Sequence, residues 1–311
     1  MKLNDVISYV FIDAMGNEEM GRGSGVTRDV YSSFWNEAYE SLFIGRDDRV
    51  PLVRHDFFIN EWNAVGKIIY KGYVDSGYFP MLISKSFLCY VLFDEKDDDT
   101  LFDSFLNYVA VDEKTLIMEA ISTNDEELLQ SSDMFEFLDQ FKCRTMVTVA
   151  NVKATIIELA TQELIQKPHL MGSCWKKYLM LLQSYDSFKD QSALKDFYSC
   201  LIPTSKRVIG LFDANPNDDS ERECYGHLKR YVKGLNETML KKLLRFLTGS
   251  DVVTVQKIYV QFVKQSPFER RPIAHTCGPT VEISSTYSNL CELREEFSSI
   301  LNNTTWEMDI I

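Results

Sequence analysis

LNETMLKKLLRFLTGS, residues 235–250, followed by KIYVQFV, residues 257–263, sets the fold class. Leu240, Leu243, Leu244 and Leu247 recur at the i, i+3, i+4, i+7 spacing of one helix face. Asn236 stands where a side-chain cap closes a helix start, and Gly249 stands where a left-handed residue ends one. KIYVQFV then alternates, with Ile258, Val260 and Phe262 on one face, which is the period of a strand. A helix followed by a strand, then PTVEIS as a second short strand and NLCELREEFSSIL as a closing helix, predicts a compact α/β unit at the C-terminal end.

Upstream, the pattern changes. DANPNDDSERE, residues 213–223, is polar, carries Pro216 and two asparagines, and reads as a hinge. Before it the chain is mainly helical. VTRDVYSSFWNEAYESLF places Val26, Val30, Phe34 and Tyr39 at roughly helical spacing, and FFINEWNAVGKIIYKGY does the same with Phe58, Trp62, Val65 and Ile69. NVKATIIELATQELIQKP is a further helix, with Asn151 as its expected cap and Pro168 just past its end. WKKYLMLLQSY and ALKDFYSCLI continue the helical character, and the acidic run 94–99, DEKDDD, reads as a solvated loop. VISYVFID near the N-terminus reads as a strand, followed by a turn with Gly21, Gly23 and Gly25. Val26 occupies the position where a dinucleotide-binding loop needs glycine, so that turn is read as a connector. The expectation is an α+β protein of two lobes: a larger, mainly helical unit over 1–213, a hinge over 214–223 and a small α/β unit over 224–311.

Bulk composition narrows the function classes. The chain has 311 residues, enough for two domains, with a net charge of −13. That acidic balance argues against nucleic acid and against anionic membrane as partners. No window is apolar for the length of a spanning helix, and the N-terminus lacks a signal-peptide core. The seven cysteines are scattered without a CxxC pair, the usage of a reducing compartment, so the expected location is cytoplasmic or nuclear. The four histidines do not cluster with cysteines at metal-ligand spacing, so no metal and no cofactor are expected.

One cysteine stands apart. In RRPIAHTCGPT, residues 270–280, Cys277 is followed by Gly278 and Pro279, which takes it out of a packed helix. His275 lies two residues before it and would share a face with it on extended backbone. Arg270 and Arg271 bring positive charge, which favours thiolate over thiol. Cys89, Cys174 and Cys200 lie in apolar helical patterns and read as core residues; Cys143 also reads as structural, and Cys291 falls in the last helix. The local residues make Cys277 a candidate nucleophile without naming a reaction. A thiol hydrolase and a cysteine that only packs both remain open at this level.

Further residues add a resemblance. RRPIAHTCGPT followed by ISSTYSNLCELREEFSSIL resembles the C-terminal end of a HECT-type ubiquitin ligase, a family with a Pro-x-Ala-His-Thr-Cys stretch ahead of a strand and a helix. LLRFLTGSDVV (243–253), IPTSKRVIGLFD (202–213), GRGSGVTRDVYSSFW (21–35) and NEWNAVGKIIYKGY (60–73) resemble other stretches of that family, in the family's order over nearly the whole chain. With Cys-Gly-Pro-Thr in place of the commoner Cys-Phe-Asn, the chain is similar to the short, divergent HECT-like proteins related to the G2/M-phase-specific ubiquitin ligase.

The resemblance implies a helical N-lobe that receives a ubiquitin-charged conjugating enzyme, a small C-lobe with the nucleophile, and a hinge between them. It implies that Cys277 accepts ubiquitin as a thioester and passes it to a lysine of a protein substrate, with His275 and Thr276 positioning the reacting groups. It also implies docking of the C-terminal tail through Trp306 or Met308, and Asp309 as a group that orients the incoming lysine. The alternative is a catalytically degenerate HECT-like fold that acts as a protein-interaction module. Its motivation is the stretch 93–195, which is shorter than the family's conjugating-enzyme subdomain.

Overall fold

The computed structural model describes residues 23–266 except 124, residues 269–302, and Tyr9 and Ile12. The strand expected at 6–13 and the tail residues Trp306, Met308 and Asp309 lie outside the described residues. In chain order the elements are α1 (Ser24–Leu42), β1 (Phe43–Gly45), β2 (Arg49–Pro51), α2 (Ile59–Ser76), α3 (Lys85–Phe93), α4 (Asp98–Tyr108), α5 (Val111–Thr123), α6 (Glu126–Leu129) and α7 (Ser132–Gln140). They continue as α8 (Val152–Thr161), α9 (His169–Leu179), α10 (Gln191–Leu201), α11 (Ser205–Leu211), β3 (Phe212–Ala214), α12 (Asp219–Lys233), α13 (Glu237–Thr248), β4 (Ile258–Val263), β5 (Ile273–His275), β6 (Thr280–Ser284) and α14 (Leu290–Asn302). The protein is therefore α+β, and no described helix is long and apolar enough to cross a membrane.

The chain forms two compact units. The first comprises 1–35, 71–79 and 200–311; the second comprises 36–70 and 80–199. In the first unit β3, β4, β6 and β5 lie in that order in one sheet. β4 runs parallel to β3 and β6, and β5 runs antiparallel to β6. The core here combines the helix stripe and the strand alternation expected from the sequence. Leu240, Leu243, Leu244 and Leu247 are buried with Ile258, Val260, Val281, Ile283, Leu293 and Phe297. Phe262, the third residue of the expected strand face, is only partly buried against this core. Asn236 accepts the Met239 N–H at 2.9 Å, and Gly249 ends the helix at φ +78 with its N–H on the Arg245 carbonyl.

The segment 214–223, expected as a hinge, carries ordered elements. Ala214 ends a strand paired with β4, and Asp218 caps α12 by accepting the Glu221 N–H at 2.9 Å. Glu221 in turn reaches back to the Asn217 N–H at 2.6 Å, so the run of Asp and Asn residues supplies a reciprocal helix cap in place of an open linker. The chain passes between the two units at 35/36, 70/71, 79/80 and 199/200, and both flanks of 214–223 belong to the first unit.

The second unit is mainly helical, with a short β1–β2 hairpin. Trp175 is fully buried, with its ring 5.7 Å from Phe87, 6.1 Å from Phe43 and 6.2 Å from Trp62. The expected stripe of α2 holds at Trp62, Val65 and Ile69, whereas Phe58 precedes the helix and is exposed. On α1 Val26 and Tyr39 of the expected row are buried, along with Tyr31, Trp35, Ala38 and Leu42, whereas Val30 and Phe34 are only partly buried. The acidic run 94–99 is solvated but structured: Asp97 caps α4 and pairs with Lys195 at 3.0 Å, and Asp94 pairs with Lys176 at 2.6 Å. Pro168 does not stop the helical path. A π-helical turn over Gln162–Gln166 follows α8, and Pro168 then opens α9, since proline lacks only an N–H that a helix start leaves unpaired.

Asp48, in the β1–β2 turn, is almost fully buried. Burial pushes its carboxyl up to about 6; the Ser104 hydrogen bond and Lys85 oppose that rise, while Asp47 and Asp103 add to it. Because the folded value lies above the unfolded one, the protonated form stabilises the fold. That stability is complete below about pH 4 and is lost as pH rises through about 6. Asp48→Asn is expected to raise stability at pH 8 by about 2 kcal/mol and to flatten the dependence between pH 5 and pH 8, followed by urea titrations across that range. A pH dependence unchanged by the substitution would exclude Asp48 as its source.

Candidate functional site

β5 and β6 form a hairpin whose last pair is His275 with Thr280, leaving Thr276, Cys277, Gly278 and Pro279 as the connecting turn. The turn is fixed at its exit, where Thr280 Oγ1 donates to the Gly278 carbonyl at 2.6 Å and the Tyr259 N–H donates to the Pro279 carbonyl at 2.8 Å. Cys277 is exposed at this turn. A Cβ added at Gly278 would meet open space, so the far side of the thiol is unobstructed by the residue that follows it.

The other side of the turn is formed by the beginning of α1, from the same compact unit. The Ser24 hydroxyl donates to the Cys277 carbonyl at 3.1 Å, and Arg28 Nη2 donates to the Thr276 carbonyl at 2.5 Å. Gly23 and Gly25 make this approach feasible. A Cβ at Gly23 would lie 2.9 Å from the Cys277 sulfur, and one at Gly25 would lie 2.3 Å from Thr276 Oγ1 and 2.6 Å from its carbonyl carbon. The glycine turn read from sequence as a connector is thus a surface shaped to the cysteine turn.

Arg28 is buried and also donates through Nε to the Thr248 carbonyl at 2.6 Å, at the end of α13. Burial pulls its guanidinium below the ordinary arginine value, and the nearby Cys277 acts in the opposite sense. Beside it, Asp29 pairs with Arg245 at 2.6 Å, Arg245 also donates to the Ser33 hydroxyl at 2.6 Å, and the Ser32 hydroxyl donates to the Gly249 carbonyl at 3.1 Å. One face of α1 therefore holds both the end of α13 and the cysteine turn.

Two sequence expectations change here. His275 was expected to share a face with Cys277. Extended backbone ends at His275, so the alternation does not carry into the turn, and the imidazole Nε2 lies 3.2 Å from Glu282 Oε1 on the neighbouring strand. Arg270 and Arg271 were expected to supply positive charge to the thiol. Arg270 instead pairs with Glu292 at 2.6 Å and lies over the Tyr287 ring, while Arg271 is exposed; the cation bound to the cysteine turn is Arg28, through the Thr276 carbonyl. Thr276 is partly buried in the same turn, and its backbone carbonyl accepts from Arg28.

The remaining thiols separate by burial. Cys89 and Cys224 are buried, which pushes their thiols up to about 11 and about 12, and burial raises Cys174 as well. Cys143 is partly buried. Cys200, expected in the core, is exposed, because the buried row of α10 runs through Leu194, Tyr198 and Leu201 and bypasses it. Cys291 is exposed in the first turn of α14. Chemically, the Cys277 arrangement offers an accessible sulfur on a fixed turn, with a buried cation beneath it. Such a site suits attack on an activated carbonyl carbon. No protein-family profile matches this chain, and no curated protein matches it either.

Proposed function

We propose that the protein is a HECT-type ubiquitin transferase in which Cys277 carries ubiquitin as a thioester. The observation that supports this most is the setting of Cys277: an exposed thiol on a four-residue hairpin turn, bordered by Gly23 and Gly278 and underlain by Arg28. The Cys277 sulfur attacks the carbonyl carbon of the thioester that joins ubiquitin's C-terminus to the conjugating enzyme. A new C–S bond forms, the old one breaks, and its electron pair leaves with the conjugating enzyme's sulfur. A substrate lysine amine then attacks the Cys277 thioester, loses a proton to solvent and leaves an amide, and the Cys277 thiolate is restored.

The acyl group arrives already activated, so neither step draws on a cofactor. In this reading the helical second unit receives the conjugating enzyme, and the unit that holds both Arg28 and Cys277 moves as one between donor and substrate. Trp306 or Met308 docks the tail, Asp309 orients the lysine, and the reaction takes place in the cytoplasm or nucleus. His275, engaged with Glu282, serves the hairpin more directly than the thiol, which is consistent with a thiolate that needs no base.

The decisive experiment incubates the full chain with ubiquitin, activating enzyme, ATP and a panel of conjugating enzymes. A ubiquitin adduct that thiols remove is expected. It converts to a thiol-resistant ester in Cys277→Ser and disappears in Cys277→Ala. An adduct that survives Cys277→Ala, or none with any conjugating enzyme, overturns the proposal. The second of these outcomes favours the interaction-module reading.

A further inference from the structure

The buried arginine under the cysteine turn calls for an account of its charge. Arg28 is buried, yet among the described residues it makes no ion pair with a carboxylate: Asp29, its neighbour, pairs with Arg245. Its donors go to two backbone carbonyls, those of Thr248 and Thr276. Carbonyls satisfy the hydrogen bonds of a guanidinium but supply no counter-charge, and among the described residues no carboxylate supplies one, which makes burying this charge costly. A neutral donor such as glutamine would hold a carbonyl at lower cost. What the arrangement retains is a positive charge, locked by a planar fork and hydrogen-bonded to the carbonyl of the residue before Cys277.

We propose that Arg28 is a positioning residue that fixes the Thr276–Pro279 turn and presents a permanent positive charge to whatever negative charge develops at Cys277. The proposal deepens the transferase reading, since it rests on Cys277 being the acyl acceptor. As the thiolate adds to the thioester carbonyl, the C=O electron pair moves onto oxygen; when the intermediate collapses, that pair re-forms C=O and the leaving sulfur departs with the bonding pair. Negative charge therefore persists around Cys277 throughout, first on sulfur and then on oxygen. A fixed buried cation stabilises it without reorganising at the moment of reaction.

The test needs no ubiquitin, so its failure is separable from failure of the transferase reading. Purified full chain is alkylated with iodoacetate, which is anionic, and in parallel with iodoacetamide, which is neutral. Rates at each cysteine are read by peptide mass spectrometry. A fixed cation favours the anionic reagent, so the iodoacetate-to-iodoacetamide ratio at Cys277 is expected to exceed that at the exposed Cys200 and Cys291 by about fivefold. In Arg28→Gln that excess is expected to vanish, and in Arg28→Lys most of it should persist while both absolute rates change. Loss of the turn's geometry alone alters both rates together and leaves the ratio unchanged. A ratio at Cys277 equal to that at Cys200 and Cys291 in the unaltered chain overturns the proposal without any variant. A ratio unchanged in Arg28→Gln reduces Arg28 to a structural clamp.

Discussion

Trp175→Ala is expected to lower the stability of the helical second unit by about 4 kcal/mol, the range for emptying a large buried aromatic site. The side chain is fully enclosed, and rings from three separate elements close around it: Phe43 from β1, Trp62 from α2 and Phe87 from α3. None of these can collapse into the void without leaving its own partners, so relaxation recovers little. Trp175→Phe should cost distinctly less. It keeps most of the apolar volume and removes an indole N–H that is buried with no hydrogen-bond partner among the described residues, which is itself unfavourable. Urea titration followed by far-UV circular dichroism measures both. An alanine variant that loses less than about 1 kcal/mol would contradict the packing described for this unit.

Gly249→Ala is expected to destabilise the first unit by about 3 kcal/mol, through two independent costs. Its φ of +78 is a conformation that alanine adopts only with strain of about 1–2 kcal/mol. The new Cβ would also stand 2.3 Å from the Gly25 carbonyl oxygen, a backbone atom that no rotamer change can move aside, adding an overpacking cost of about 1–3 kcal/mol. Because the displaced strand of contacts includes Ser32 to the Gly249 carbonyl and Arg28 to the Thr248 carbonyl, Cys277 alkylation kinetics should change in the same variant. Gly234→Ala is the control: that glycine ends α12 at φ −88, a backbone alanine accepts, and the nearest atoms to an added Cβ are at ordinary contact distance. Equal denaturation midpoints for the two variants would refute the steric account.

Those features were legible in the sequence to different degrees, for physical reasons. α13 could be read in full because its determinants are local: a leucine stripe, a capping asparagine and a terminating glycine lie within about four turns of chain. β4 and β6 were legible from alternation alone, although alternation could not show that they run parallel, which depends on the crossover between them. The polar run at 213–223 misled because Asp and Asn serve helix caps as readily as linkers. Cys200 misled because its helix has one buried row, and a residue two positions from Tyr198 in the pattern sits off it. The site itself was half visible. Cys277 stood out from its glycine and proline, but Arg28 contacts Thr276 across 248 residues of chain, and no local pattern reports such a pairing. GVTRD offered a signal only through its resemblance to a family segment.

That long-range pairing bears on the order in which the protein can be assembled. The helical second unit lies within residues 36–70 and 80–199, so all its parts are synthesised before the first unit's C-terminal portion. The opening turns of α1 belong to the other unit and must wait. At ordinary elongation speeds, the 248 residues between Arg28 and Thr276 take roughly 12–50 s to synthesise. During that interval Arg28 has no carbonyl from the cysteine turn to bind. The setting of Cys277 is therefore completed late, after most of the polypeptide already exists, and a chain that stops short of residue 277 holds the α1 side of the site without its thiol.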